Sequence, residues 1–149
     1  MREQYVEAVL AVAELVPPAR VLSYGDIAAL LESGGPRQVG AVMSHHGSAV
    51  PWWRVIRSSG DAPAGHEGEA LRAYRQEQTA LRGDTSPQPA GKPPAWRVDM
   101  KAARWNPEEA DFVRIDAIAA LLHDSDDAGP LTDTAAVPSM SVARDGLGA

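Results

Sequence analysis

The chain has 149 residues, 44% of them hydrophobic, a formal net charge of −6 and no cysteine. That length suffices for one domain with a real core, and the missing cysteines exclude disulfides, thiolate metal sites and a cysteine nucleophile together. No apolar run approaches a membrane span, and Met1-Arg2-Glu3-Gln4 does not read as a signal peptide, so a soluble, cytoplasmic protein is expected.

The charge is unevenly spread. Residues 1–105 carry 12 Lys and Arg against 11 Asp and Glu, whereas residues 106–149 carry 2 against 9. The acidity belongs to the C-terminal third, and the cations of the remainder are free to gather on one face, as a nucleic-acid binder requires.

In chain order, residues 3–16 show a broad apolar face (Tyr5, Val6, Val9, Leu10, Val12, Ala13, Val16) and read as a helix that Pro17-Pro18 stops. After the extended Arg20-Val21-Leu22, Ser23 is a good N-cap for a second helix over residues 24–32, with Asp26 in its first turn. Ser33-Gly34-Gly35 ends it, and Pro36 suits the first turn of a third helix running to His45. Val39, Val42 and Met43 share one face of that helix and should bury against the second. The opposite face offers Arg37, Gln38, Gly40, Ala41 and Ser44, which combine one cation with polar groups and very small side chains. Two helices joined by a short glycine-containing turn fit a helix-turn-helix, and an ordinary helical hairpin has the same pattern. His45 and His46 diverge on a helix with no third ligand patterned nearby, so neither a metal site nor a cofactor is expected.

The stretch Pro51-Trp52-Trp53-Arg54-Val55-Ile56-Arg57 holds half of the four tryptophans. Arg54-Val55-Ile56-Arg57 reads as a half-buried strand, with a β-branched pair between two arginines, and Ser58-Ser59-Gly60-Asp61 turns it. The tryptophans are then either core packing or a stacking platform. A loop from Asp61 to Gly68 leads to a helix over 69–81, with Leu71, Tyr74 and Leu81 apolar; Gly83 to Pro94 reads as a flexible loop and Trp96 to Met100 as a short strand. Asn106-Pro107-Glu108-Glu109 starts a last helix to about His123, with Phe112, Ile115, Ala119 and Leu122 on one side. The composition of residues 124–149 predicts disorder.

Three pieces in this order, Leu22-Ser23-Tyr24-Gly25-Asp26-Ile27-Ala28, Arg37-Gln38-Val39-Gly40-Ala41-Val42-Met43 and Pro51-Trp52-Trp53-Arg54-Val55-Ile56, resemble the DNA-binding domain of O6-alkylguanine-DNA alkyltransferases. In that family the last motif reads Pro-Cys-His-Arg-Val, and its cysteine accepts the alkyl group. Trp52 stands in the cysteine's place, the mark of the alkyltransferase-like proteins, which bind O6-alkylguanine without repairing it and hand it to nucleotide excision repair. The resemblance covers residues 3–60 well and 66–105 loosely. It implies a mainly α fold with a short β wing, a winged helix-turn-helix over 1–105. An acidic helix (106–123) and the tail (124–149) lie outside the family core, as a partner-binding extension or a solubilising tail.

The resemblance also implies roles. Arg37 would be a finger inserted into the base stack, and Tyr24 would sit beside the phosphate of a flipped nucleotide. Pro36, Gln38, Gly40, Ala41 and Ser44 would complete a DNA-facing helix docked in the minor groove. Pro51, Trp52, Arg54 and His66 would join Tyr24 around the lesion, Trp52 as an aromatic wall and Arg54 through backbone carbonyls. Trp53 replaces the family's histidine, which removes any relay through it. Tryptophan has one N–H donor and no nucleophile, so alkyl transfer at position 52 is excluded. The implied partner is double-stranded DNA containing O6-alkylguanine, bound by a monomer. The competing reading is a winged-helix transcription regulator on undamaged DNA, for which the small-faced helix has few base-reading side chains. Catalysis has little support, with no nucleophile elbow or metal cluster.

Overall fold

In the computed structural model, residues 3–128 are described, with side chains to residue 124. Helix α1 (Glu3–Leu15) is followed by β1 (Leu22–Ser23), α2 (Tyr24–Leu31) and α3 (Pro36–His46). Two single 3₁₀ turns, Gly47–Ala49 and Trp52–Arg54, lead into β2 (Val55–Ile56). Then come α4 (Glu67–Glu77), β3 (Leu81–Asp84), β4 (Ala95–Val98), α5 (Met100–Ala103) and α6 (Glu109–Ala128). The fold is mainly helical with a small antiparallel wing, as the motif order predicts.

Local chemistry sets the helix-turn-helix. Ser23 Oγ accepts the Asp26 N–H at 3.0 Å, and the Asp26 carboxylate accepts the Ser23 N–H at 2.9 Å, a complete capping box worth about 1 kcal/mol. The second helix is stopped by Glu32 in the left-handed conformation (φ 53°), and Gly34 (φ 71°) turns the chain where an added Cβ would strike the Tyr5 ring. Gln38 Oε1 then accepts the Gly35 N–H and closes the start of α3.

Two buried clusters organise the interior. The first joins α1, α2 and α3 (Val9, Val12, Ile27, Leu31, Val39, Val42) and takes in Trp105 together with Ile115, Ala119 and Leu122 of α6. The second lies under the wing: Val21, Ile56, Ala70, Tyr74, Trp96, Val98 and Ala103. β1 and β2 run between them as a parallel pair, Leu22 opposite Val55 and Ser23 opposite Ile56.

Several expectations change. The Arg54–Arg57 stretch is not a half-buried strand. Only Val55 and Ile56 are extended, and both are buried, because successive strand side chains point to opposite faces: Val55 enters the first cluster and Ile56 the second. The wing is instead β3 against β4, antiparallel, with Leu81 opposite Val98 and Asp84 opposite Ala95. Leu81 therefore belongs to a strand, since α4 already stops at Gln78 (φ 64°), and the expected flexible loop starts only after Asp84. Gly83 (φ 92°) is required there, because a Cβ would strike the Ala95 carbonyl. Asn106 and Pro107 do not open α6, which begins at Glu109 with Asp111 accepting the Glu108 N–H, and the helix runs past His123 to Ala128. Phe112 is 40% exposed rather than inward. With Ile115, Ala119 and Leu122 in the first cluster and His123 Nε2 2.9 Å from the Leu31 carbonyl oxygen, α6 completes the core. Of the expected disordered tail, residues 129–149 lie outside the described residues.

Candidate nucleic-acid interface

The face of α3 predicted for DNA is the outward one. Pro36, Arg37, Gln38 and Ser44 are exposed and Gly40 and Ala41 half-buried, while Val39, Val42 and Met43 are buried. Arg37 lies in the first turn, and among the described residues its guanidinium has no ion-pair partner. Gln38 has already committed its side-chain oxygen to the helix cap, so only its NH₂ faces outward. Gly40 serves a neighbour: a Cβ there would lie 3.3 Å from Cδ2 and Cε2 of the Tyr24 ring. Its smallness seats Tyr24 between α2 and α3, so the close approach it permits is first of all internal.

Tyr24 is half-buried at the start of α2. Burial pushes its hydroxyl above the usual phenol range, and the nearby Arg57 charge partly offsets this. At neutral pH the hydroxyl is therefore a neutral donor, the form that binds a phosphate oxygen. Arg57 went unnoticed in the sequence, where it reads as the polar end of a strand. The β1–β2 pairing brings it beside Tyr24, because Ser23 and Ile56 are opposite one another.

Trp52 and Trp53 sit edge to face, ring centroids 5.5 Å apart at 86°. Both are half-buried, and their surroundings differ. Trp52 packs on both clusters and has the exposed His66 ring 5.7 Å away, so the structure does bring His66 to Trp52. His66 Nδ1 is also 3.2 Å from Glu69 Oε1. Pro51 precedes the turn, half-buried, with its carbonyl accepting the Arg54 N–H.

Trp53 is part of a polar frame beneath the turn. Its Nε1 donates to Glu77 Oε2 at 2.9 Å, and the Arg54 guanidinium lies over its ring at 5.5 Å. Arg54 donates to Glu77 through Nε (3.2 Å) and Nη2 (2.6 Å), and through Nη1 to the Val16 carbonyl (2.9 Å). Glu77 also accepts the Ala19 N–H, and the Tyr74 hydroxyl donates to the Trp53 carbonyl at 2.6 Å. Arg54 thus faces inward, 15% exposed against 12% for Glu77. It does brace the turn, but mainly through a carboxylate rather than through backbone carbonyls alone. Burial by itself would raise the Glu77 pKa; the hydrogen bonds from Arg54, Ala19 and Trp53 outweigh it and hold the carboxyl below its ordinary value. Glu77 and Tyr74 have no sequence signal, lying 23 and 21 residues from their partners.

Two concavities lie elsewhere. One of about 480 Å³ runs between α2 and the α5–α6 link, where Arg104 pairs with Asp26; the other, of about 400 Å³, lies on the wing. Neither is lined by Tyr24 or Trp52. No group of three or more His, Asp or Glu that fits a metal ion occurs among the described residues, and no helix among them is long and apolar enough to cross a membrane.

A helix-turn-helix with a half-buried tyrosine, an exposed arginine at the head of its outward helix and a braced aromatic turn is the arrangement of a DNA-binding domain. The family profile described as 6-O-methylguanine DNA methyltransferase, DNA binding domain, matches residues 4–82. The chain belongs to that family. Among solved structures, it is similar to the alkyltransferase-like protein of S. pombe in complex with DNA, with 26% identity and a TM-score of 0.54 over 72% of this chain and 100% of that one. It also shares the fold of S. pombe Atl1 bound to damaged DNA containing O6-carboxymethylguanine, at 22% identity and a TM-score of 0.58, covering 72% and 99% of the two chains. No curated protein matches it significantly.

Proposed function

We propose that the protein is a non-enzymatic sensor that binds O6-alkylguanine in duplex DNA with the lesion flipped out of the stack. The observation that carries this is Trp52, held half-buried in a turn that Glu77, Arg54 and Tyr74 fix from below. An indole in the acceptor's position can stack on a base and cannot take its alkyl group. Extruding a base costs a few kcal/mol. Stacking on Trp52 returns about 1–3 kcal/mol, Arg37 fills the gap from the head of α3, and the neutral Tyr24 hydroxyl with Arg57 holds the rotated phosphate. Pro36, Gln38, Gly40, Ala41 and Ser44 present the small surface that lets the helix sit in the minor groove, and His66 borders the Trp52 ring, which Pro51 precedes in the turn.

With no cysteine in the chain to accept the alkyl group, the lesion outlasts the encounter in this reading and another system excises it. Handing it to nucleotide excision repair is consistent with that, and a cytoplasmic monomer suffices for the task. The test is affinity for duplexes carrying O6-alkylguanine against their unmodified twins. The protein should prefer the lesion and gain no covalent mass. Arg37→Ala should weaken binding broadly, and Trp52→Ala should erode the lesion preference by roughly five-fold to 150-fold, the equivalent of one stacked base. Equal affinity for modified and unmodified duplexes would sink the reading and favour a regulator of undamaged DNA.

A further inference from the structure

The wing carries an arrangement that its own fold does not need. Arg82 of β3 and Arg97 of β4 are directly opposite one another across the antiparallel ladder. Their neighbours on the other face, Trp96 and Val98, are buried, so the two arginines share the exposed face. Like charges placed opposite each other on a ladder destabilise it, and among the described residues neither guanidinium has an ion-pair partner. Both line the open concavity of about 400 Å³, together with Asp61, Gly83, Pro94 and Trp96. Two carboxylates lie close by, Asp61 accepting the Ser59 hydroxyl and Asp84 the Ser86 N–H, and neither is ion-paired to Arg82 or Arg97 among the described residues.

The wing is also tied firmly to the lesion-facing region. Trp96 stands edge to face with Tyr74, 5.9 Å between centroids, and Tyr74 in turn donates to the Trp53 carbonyl. The Val98 N–H, next to Arg97, donates to the Gly60 carbonyl at 2.9 Å, and the Gly60 N–H to the Arg57 carbonyl. One hydrogen-bonded turn thus links Arg57, beside Tyr24, to the strand that bears Arg97. The acidic α6 packs against α1 and α2 instead.

We propose that Arg82 and Arg97 form a phosphate clamp on the outer face of the wing, which grips the backbone of the bound duplex apart from the base-flipping site. Two guanidinium forks facing one concavity suit phosphodiester oxygens in bidentate geometry, and a bridging phosphate relieves the repulsion across the ladder. Backbone contacts of this kind hold register and carry no sequence or lesion information. The inference rests on the chain being a binder of duplex DNA, and not on its preference for alkylated guanine.

The test is the salt dependence of binding by the full chain to an O6-methylguanine duplex and to its unmodified twin. Each phosphate contact adds about 0.9 to the slope of log K against log salt. Arg82→Gln and Arg97→Gln should each lower that slope by about 0.9 and weaken binding roughly five-fold at 0.15 M salt, equally on both duplexes. Arg97→Lys should keep the slope, and Arg114→Gln on α6 should leave it unchanged. The unfolding midpoint of the two glutamine variants should hold or rise as the repulsion goes. Unchanged slopes in both glutamine variants would overturn the clamp while leaving the sensor reading intact, and so would a loss confined to the alkylated duplex. If the unaltered protein showed no lesion preference but the wing variants still lowered the slope on both duplexes, the sensor reading would fail and the clamp would stand.

Discussion

Replacing Glu77 by glutamine keeps the shape of the side chain and removes its charge. The carboxylate accepts four hydrogen bonds, from Ala19 N–H, Arg54 Nε, Arg54 Nη2 and Trp53 Nε1. A glutamine amide has one oxygen, so it satisfies the two donors on one side and points its own NH₂ at the two on the other. A part-buried donor left without an acceptor costs about 1–3 kcal/mol, and the Arg54 charge loses its counter-ion. Residual exposure of 15% and 12% admits some water, so a net loss of about 2–4 kcal/mol at pH 7 is expected. The pH dependence is the sharper check. Glu77 titrates below its ordinary value in the fold, so its contribution is fully present above the unfolded carboxyl pKa of about 4.3 and fades as pH falls through the lower folded value. Urea unfolding of both proteins between pH 3 and 7 should show their difference in stability shrinking below about pH 4. A difference under about 0.5 kcal/mol at pH 7, or one that stays constant across the range, would refute the frame as drawn.

Two further outcomes follow from packing. Gly40→Ala gains helix propensity of about 1 kcal/mol, but places a Cβ 3.3 Å from the Tyr24 ring. Stability should therefore change little while lesion-duplex affinity falls as Tyr24 shifts; unchanged affinity in a binding titration would show that the ring has room to give. Ile115→Ala removes a fully buried side chain of α6 from the first cluster and should cost about 2–5 kcal/mol in thermal or urea unfolding. A loss under about 1 kcal/mol would mean that α6 is an appendage after all.

The helices were legible because their signals are local: the Ser23 cap three residues before Asp26, the prolines at 17, 18 and 36, and the apolar spacing of Val39, Val42 and Met43. The end of α2 was legible to within a residue from Ser33-Gly34-Gly35, whereas α4 stops at Gln78 in the left-handed conformation with no residue signal for it. The strands were harder. β1 and β2 are two residues each, paired across 33 positions of chain, and their alternation separates two cores rather than core from water. Asn106-Pro107 looks like a helix start, yet α6 begins only at Glu109.

The candidate site was read from sequence alone, since residue types and their order, Tyr24, then Arg37, then Trp52, are independent of folding. What the tertiary structure decided was which groups hold those residues in place. Gly40 makes room for Tyr24, Arg57 comes beside it, Glu77 and Tyr74 brace the Trp52–Arg54 turn, and Arg82 meets Arg97 across the wing. Each of these pairs is separated by more than a helical turn of chain, and contacts at that range come from packing and register, which no local pattern of residues encodes.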